Sequence, residues 1–205
     1  MKKIMYNDKY GLTNAVLEGR KTVTRRMLPQ SIYGTLTVEN NPIRIDEHIY
    51  GVNSHSIKSH FPKYNVGEVI AISQAYKDCG SFDVYEAHKD TAGWNNKLFV
   101  RADLMPHHIK ITNVRCERLQ DISEEDCLKE GVRVHEENSN KYFVKGINEY
   151  KPSPCAISQR VGVAYEPILF SSPHEAFAAL IDKVSGKDTW NSNPYVFRYE
   201  FELLK

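Results

Sequence analysis

The clearest apolar periodicities lie in the second half of the chain. Phe177, Leu180, Ile181 and Val184 recur at i, i+3, i+4 and i+7, the stripe of a helix that buries one face. Ser172, Pro173 and Glu175 precede them as cap, first-turn proline and capping-box acid, and Gly186 stands where that helix must end. From Tyr195 to Leu203 the period changes to two. Tyr195, Phe197, Tyr199, Phe201 and Leu203 alternate with Val196, Arg198, Glu200 and Glu202, which predicts a strand with one apolar face. Residues 109–119 predict another strand. Ile109 and Ile111 share one parity and Val114 and Cys116 the other, so a bulge or bend is expected at Thr112-Asn113. A short helix follows, with Ser123 as cap, Asp126 at the capping-box position, Ile122 stapling onto Cys127, and Gly131 closing it.

The first half is less regular. Leu12, Ala15 and Val16 predict a helix over 9–18, with Gly19 as a left-handed cap. The β-branched residues of 21–26 favour an extended path. Residues 66–74 and 98–100 read as strands, and 78–96 as loop with short extended pieces. Residues 29–62 and 132–167 keep neither period. They are expected to be insertions, each with room for a hairpin, in one domain spanning 1–205. Short helices around several antiparallel strands predict an α+β fold, a small mixed barrel rather than a parallel α/β sheet.

Composition narrows the function classes. A 41% hydrophobic share of 205 residues supplies one core. No apolar run approaches a membrane span, and polar residues follow the N-terminal charges before any apolar stretch, so a cytoplasmic location without a membrane partner is expected. Cys79, Cys116, Cys127 and Cys155 form no CxxC pair and read as four reduced thiols.

The formal charge is +1, from 27 basic and 26 acidic side chains, which excludes a polycation. The total hides an uneven distribution. Residues 1–30 hold seven bases and two acids, a net of +5, while 117–139 hold eight acids and three bases, a net of −5. Arg20, Lys21, Arg25 and Arg26 fall within seven residues, interleaved with Thr22 and Thr24. Guanidinium forks and threonine hydroxyls suit phosphate oxygens. The same cluster also suits a solvated edge strand whose charges resist aggregation.

The stretch Leu17-Glu18-Gly19-Arg20-Lys21-Thr22-Val23-Thr24-Arg25-Arg26 resembles the N-terminal signature of the ASCH-domain family, often written L-x-G-x-K-T-x-T-R-R. Val66-Gly67-Glu68-Val69-Ile70 is similar to the family's glycine strand. Leu104-Met105-Pro106, residues 109–119 and the run Gln120 through Gly131 look like its phage-associated branch, and Trp190-x-x-Asn193-Pro194 resembles its C-terminal ending. The resemblance implies a PUA-like barrel with a cleft that binds RNA or a nucleoside-type small molecule. The near-zero total charge favours a confined site over a surface that wraps long duplex DNA; no cofactor is expected, and the oligomeric state is left open. One branch of the family removes the acetyl group of N4-acetylcytidine without a metal. By motif position its catalytic set maps onto Lys21, Thr24 and Glu130. The sequence departs from the family where Gln74 and Tyr76 stand in place of an acid and a tryptophan.

Two functions therefore compete. In the first, a basic cleft binds the ligand through Arg20, Arg25 and Arg26, with Gln74, Tyr76, Trp190 and Asn193 around it and Tyr76 or Trp190 stacking on a base. In the second, Thr24 attacks an amide, Lys21 acts as base with a pKa lowered by its cationic neighbours, and Glu130 orients the lysine or the leaving amine. Lys21 and Glu130 would equally form a structural ion pair. Trp190 suits the core as well as a pocket wall, and Asn193-Pro194 suits a turn. A third reading is a structural or interaction module of mobile-element origin. His48, His55 and His60 lack the partners of a zinc site, and His107-His108 fit a turn before a strand. No P-loop and no HExxH is present.

Overall fold

The computed structural model describes residues 1–28, 43–45, 48–53, 56–60, 62–151 and 164–204. The N-terminal segment supplies β1 (Lys3–Ile4), α1 (Leu12–Leu17) and β2 (Val23–Met27). Within 29–62, β3 (Ile43–Ile45), β4 (His48–Asn53) and β5 (Ser56–His60) form a separate antiparallel meander. There follow β6 (Val69–Ile72), α2 (Phe82–His88), β7 (His108–Arg118) and α3 (Glu124–Lys129). Two small antiparallel ladders come next, β8 (Arg133–Val134) with β9 (Tyr142–Phe143), and β10 (Asn148–Lys151) with β11 (Ala164–Pro167). The chain then forms α4 (Pro173–Ser185), α5 (Thr189–Ser192) and β12 (Tyr195–Leu204).

The main sheet has five strands in the order β1-β6-β7-β12-β2. Only β1 with β6 is parallel; the other three pairs are antiparallel. The fold is thus α+β with a mixed sheet. Among the described residues no ladder joins β1 to β2, so the sheet is open where a barrel would close. Arg26 of β2 reaches across that seam, donating from Nη2 to the carbonyl of Met5, just beyond β1, at 2.6 Å. The expected bulge is present. Glu200 faces Asn113 and Phe201 faces Ile111, which leaves Thr112 as the extra residue.

Burial of β12 differs from a one-faced strand. Val196 and Arg198 are buried along with Phe197 and Tyr199. The face expected to be polar is covered because Arg198 reaches the Asp126 carboxylate of α3. Phe177, Leu180 and Ile181 of α4 share one core with Ile109, Ile111 and Tyr199, and a smaller core gathers around Tyr76.

Several local expectations change. The first helix is split: Asp8–Tyr10 is a 3-10 turn, and Gly11 at φ 65 separates it from α1. Residues 78–96 contain α2, and the strand expected at 98–100 is a 3-10 turn over Lys97–Phe99. Ser123 and Ser172 accept the cap bonds from Asp126 N and Glu175 N, each at 3.2 Å. The reciprocal half of each capping box goes elsewhere. Asp126 turns to two arginines, and Glu175 accepts from Ser171 N at 2.9 Å. Cys79, Cys116 and Cys127 are buried, and among the described residues none of them is in a disulfide; Cys155 lies outside the described residues. Among the described residues no helix is long and apolar enough to cross a membrane.

Candidate functional site

The site begins where α1 hands over to β2. Backbone bonds from Lys21 N to Ala15 O and from Thr22 N to Lys129 O, 2.9 and 3.1 Å, fix this turn against the end of α3. Glu130 closes α3 through its own N–H to Asp126 O at 2.8 Å, so its side chain meets the start of β2. Lys21 is 2% exposed. Its ammonium donates to Val23 O at 2.8 Å, to Glu130 O at 2.9 Å and to the Glu130 carboxylate. Its three protons are thereby all accepted.

Arg25 faces the same helix. It donates to Glu117 at 2.8 Å, to Asp126 at 2.7 Å and to Glu130 at 3.2 Å. Directly across the ladder, Arg198 binds Asp126 through Nε at 2.7 Å and Nη2 at 3.0 Å, and also pairs with Glu200. Lys21 and Arg25 of the first segment therefore meet Glu117, Asp126 and Glu130 of the second. Asp126 and Glu130, four residues apart, lie on one face of α3 and share the arginine.

Burial shifts several of these groups. Lys21 is lowered by burial, opposed by the Glu130 charge and reinforced by Arg26 and Arg25. Burial alone would raise Asp126, but hydrogen bonds and charge from Arg198 and Arg25 hold it at about 2. Burial opposes the charged form of Arg25, yet Glu130, Asp126 and Glu117 raise it. Burial pushes the Cys127 thiol up to about 12 and that of Cys79 to about 11, so neither is an activated nucleophile.

A chamber of about 370 Å³ opens beside this network. Leu12, Phe177, Leu180, Ile181 and Val184 give it an apolar side; Lys21, Thr24, Arg25, Arg26 and Glu130 give it a polar one. Thr24 is buried, and its hydroxyl makes no hydrogen bond among the described residues. Tyr6 also lines the chamber, with a buried hydroxyl that has no partner among the described residues. Its ring lies 5.9 Å from the Lys21 ammonium and 5.8 Å from the Arg26 guanidinium carbon. Burial raises the Tyr6 pKa, so that hydroxyl keeps its proton.

The structure brings Lys21, Thr24, Arg25, Arg26 and Glu130 together and leaves the other expected site residues apart. Arg20 is exposed and paired with Glu18 at 2.5 Å. Gln74 lines a different crevice with Asp8, Asn14 and Asp78, where Nε2 donates to Asp78 O at 3.3 Å. Tyr76 is buried, stacked on His88 at 4.2 Å, and its hydroxyl accepts from Arg101 N at 2.8 Å. Its ring is committed within the protein. Trp190 packs edge-on against Phe177 at 6.0 Å, behind the chamber wall. Asn193, at φ 43, holds the turn before β12 by accepting from Gln120 N at 2.9 Å. Neither His107 nor His108 lines the chamber. The side chains of His48, His55 and His60 lie outside the described residues. Among the described residues no group of three or more His, Cys, Asp or Glu is placed to hold a metal ion.

Sequence reasoning missed Tyr6, Glu117, Asp126 and Arg198 as site residues. The i, i+4 spacing of Asp126 and Glu130 was a usable signal; the pairing of Arg25 with Arg198 depends on strand register and had none. No family model, no curated protein and no solved structure matches this chain.

Proposed function

We propose that the chamber between β2 and α4 binds one nucleobase or nucleoside-type unit, in a cytoplasmic ASCH-type domain whose open sheet is the counterpart of a PUA-like barrel. The observation that carries this reading is the convergence of Lys21 and Thr24 with Glu130, which lies 109 residues beyond Lys21, on one chamber of about 370 Å³. That volume lies at the small end of ligand pockets and suits a single unit. An apolar side for a ring and a polar side with Thr24, Arg25 and Arg26 for its carbonyls and ring nitrogens is the division of labour such a ligand needs. A strand of RNA would enter by one exposed unit; a duplex would not.

A second reading is amide hydrolysis, favoured by the lowered pKa of Lys21 beside Glu130. One ammonium proton passes to the Glu130 carboxylate, and the neutral Lys21 amine then takes the Thr24 hydroxyl proton as Oγ attacks the acyl carbon. The C–N bond breaks, the leaving amine takes that proton from Lys21, and water hydrolyses the Thr24 ester.

Cytidine and N4-acetylcytidine, titrated by calorimetry, are the test. Saturable binding is expected in the wild type. The exposed wall residue Val184, changed to arginine, should weaken it about tenfold or more by filling the chamber. Absence of saturable binding by the wild type overturns the reading. Release of cytidine and acetate, lost in Thr24→Val, would establish hydrolysis; binding without turnover removes hydrolysis of this substrate and leaves recognition.

A further inference from the structure

The Arg26–Met5 contact is also a partition. On its other side lies a second chamber of about 470 Å³ that shares Arg26, Met5 and Met27 with the first. Its charge is different. In the first chamber Glu130 answers Lys21 and Arg25. The second is lined by Lys3, Arg26 and Lys63, and among the described residues no Asp or Glu lines it.

Among the described residues the three cations have no carboxylate partner, each in a different way. The Lys3 ammonium is oriented by two neutral carbonyls, Leu98 O at 2.6 Å and Val100 O at 2.9 Å. Arg26 is oriented by Met5 O and makes no ion pair among the described residues. Lys63 is exposed, with its ammonium 5.3 Å from the Tyr64 ring centre. Carbonyls fix these groups in place but do not cancel their charge, so their field stays available to an anion. Tyr199 adds a donor. Its hydroxyl accepts from Lys63 N at 3.0 Å, which leaves its own proton to give. Burial pushes that hydroxyl up to about 12, so it remains protonated.

We propose that this second chamber is a phosphate subsite, in which Arg26, Lys63, Lys3 and the Tyr199 hydroxyl hold the anionic group of a ligand whose base occupies the first chamber. The inference rests on the nucleoside reading and sharpens it: the ligand class becomes a nucleoside bearing phosphate. Arg26, shared by both chambers, is the hinge of that recognition, since a guanidinium can engage a phosphate oxygen while its stem stays packed. A free nucleotide and one nucleotide of an RNA strand present the same chemistry here.

The test compares cytidine, cytidine 3′- and 5′-monophosphate, a uridine trinucleotide and pyrophosphate alone on the full chain, each at low and moderate salt. The phosphate should tighten binding about tenfold or more at low salt, with the gain shrinking as salt rises. Lys63→Glu, at an exposed position that does not threaten folding, should bring the ratio of monophosphate to nucleoside affinity towards one. If monophosphate and nucleoside bind equally in the wild type, the phosphate subsite is overturned and the nucleoside chamber stands. If nucleosides do not bind but pyrophosphate does, and Lys63→Glu removes it, the subsite stands and the nucleoside reading falls. If nothing binds, both fall. A trinucleotide that outbinds the monophosphates assigns the phosphate to RNA; the reverse assigns it to a free nucleotide.

Discussion

A buried ammonium is tolerated only where its protons are accepted and its charge is answered. Lys21 meets both conditions through Val23 O and the two ends of Glu130. Removing one partner of such a pair leaves the other charge buried without compensation, which costs about 3–5 kcal/mol. Glu130→Gln is therefore expected to lower the unfolding free energy by about 3 kcal/mol, since it strands Lys21 and weakens the hold on Arg25. The double variant Lys21→Met with Glu130→Gln should be more stable than Glu130→Gln alone. Urea unfolding of the wild type, Lys21→Met, Glu130→Gln and the double variant checks this. A double variant that loses the sum of the single effects would show that the two charges are not coupled. The resemblance to the ASCH-domain signature is what singled out Lys21, Thr24 and Glu130 as a candidate set. Arg198 was not legible, because a polar residue alternating with aromatics reads as solvent-facing until a helix is known to cover it.

At the scale of elements, the two later helices were legible because their signals are local. Ser123 and Ser172 cap as their positions require, and the i, i+3, i+4 stripe of α4 does face the core. Ser172→Ala removes the bond to Glu175 N while leaving that stripe intact. It is expected to cost about 1 kcal/mol and lower the thermal midpoint by a few degrees, read by calorimetry or far-ultraviolet melting. An unchanged midpoint would mean that packing against the core, rather than the cap, fixes the start of α4. The segment 98–100 failed for a reason equally local. Its Leu, Phe and Val suit a strand by composition, but the Asn96 side chain accepts from Leu98 N at 3.0 Å and turns the chain instead. Helix α2 carries too little apolar periodicity to stand out; its buried Val84 matters only because Tyr76, Val100 and Met105 gather around it from elsewhere in the chain.

At the scale of the whole molecule, the architecture joins parts of the two segments of opposite charge. The register that sets Arg25 opposite Arg198 places two guanidinium groups side by side, and α3 supplies Asp126 between them. Lys21 and Arg25 of the basic segment thus meet Glu117, Asp126 and Glu130 of the acidic one, while Arg26 and Lys3 keep their field at the second chamber. This arrangement makes stability depend on acid in a defined direction. Asp126 titrates near 2 in the folded chain, against an ordinary value of 3.8. The unfolded chain takes up that proton first, so the contribution of Asp126 is complete above about pH 4 and is lost as pH falls towards about 2. Urea unfolding at a series of pH values should show stability falling across that window. Because the group is buried between two arginines, added salt should change the fall little, whereas a purely exposed set of ion pairs would be flattened by screening. A profile that stays level below about pH 4 would mean that Asp126 is not held by its two arginines in solution, and would remove the link between the start of β2 and α3 on which both chambers depend.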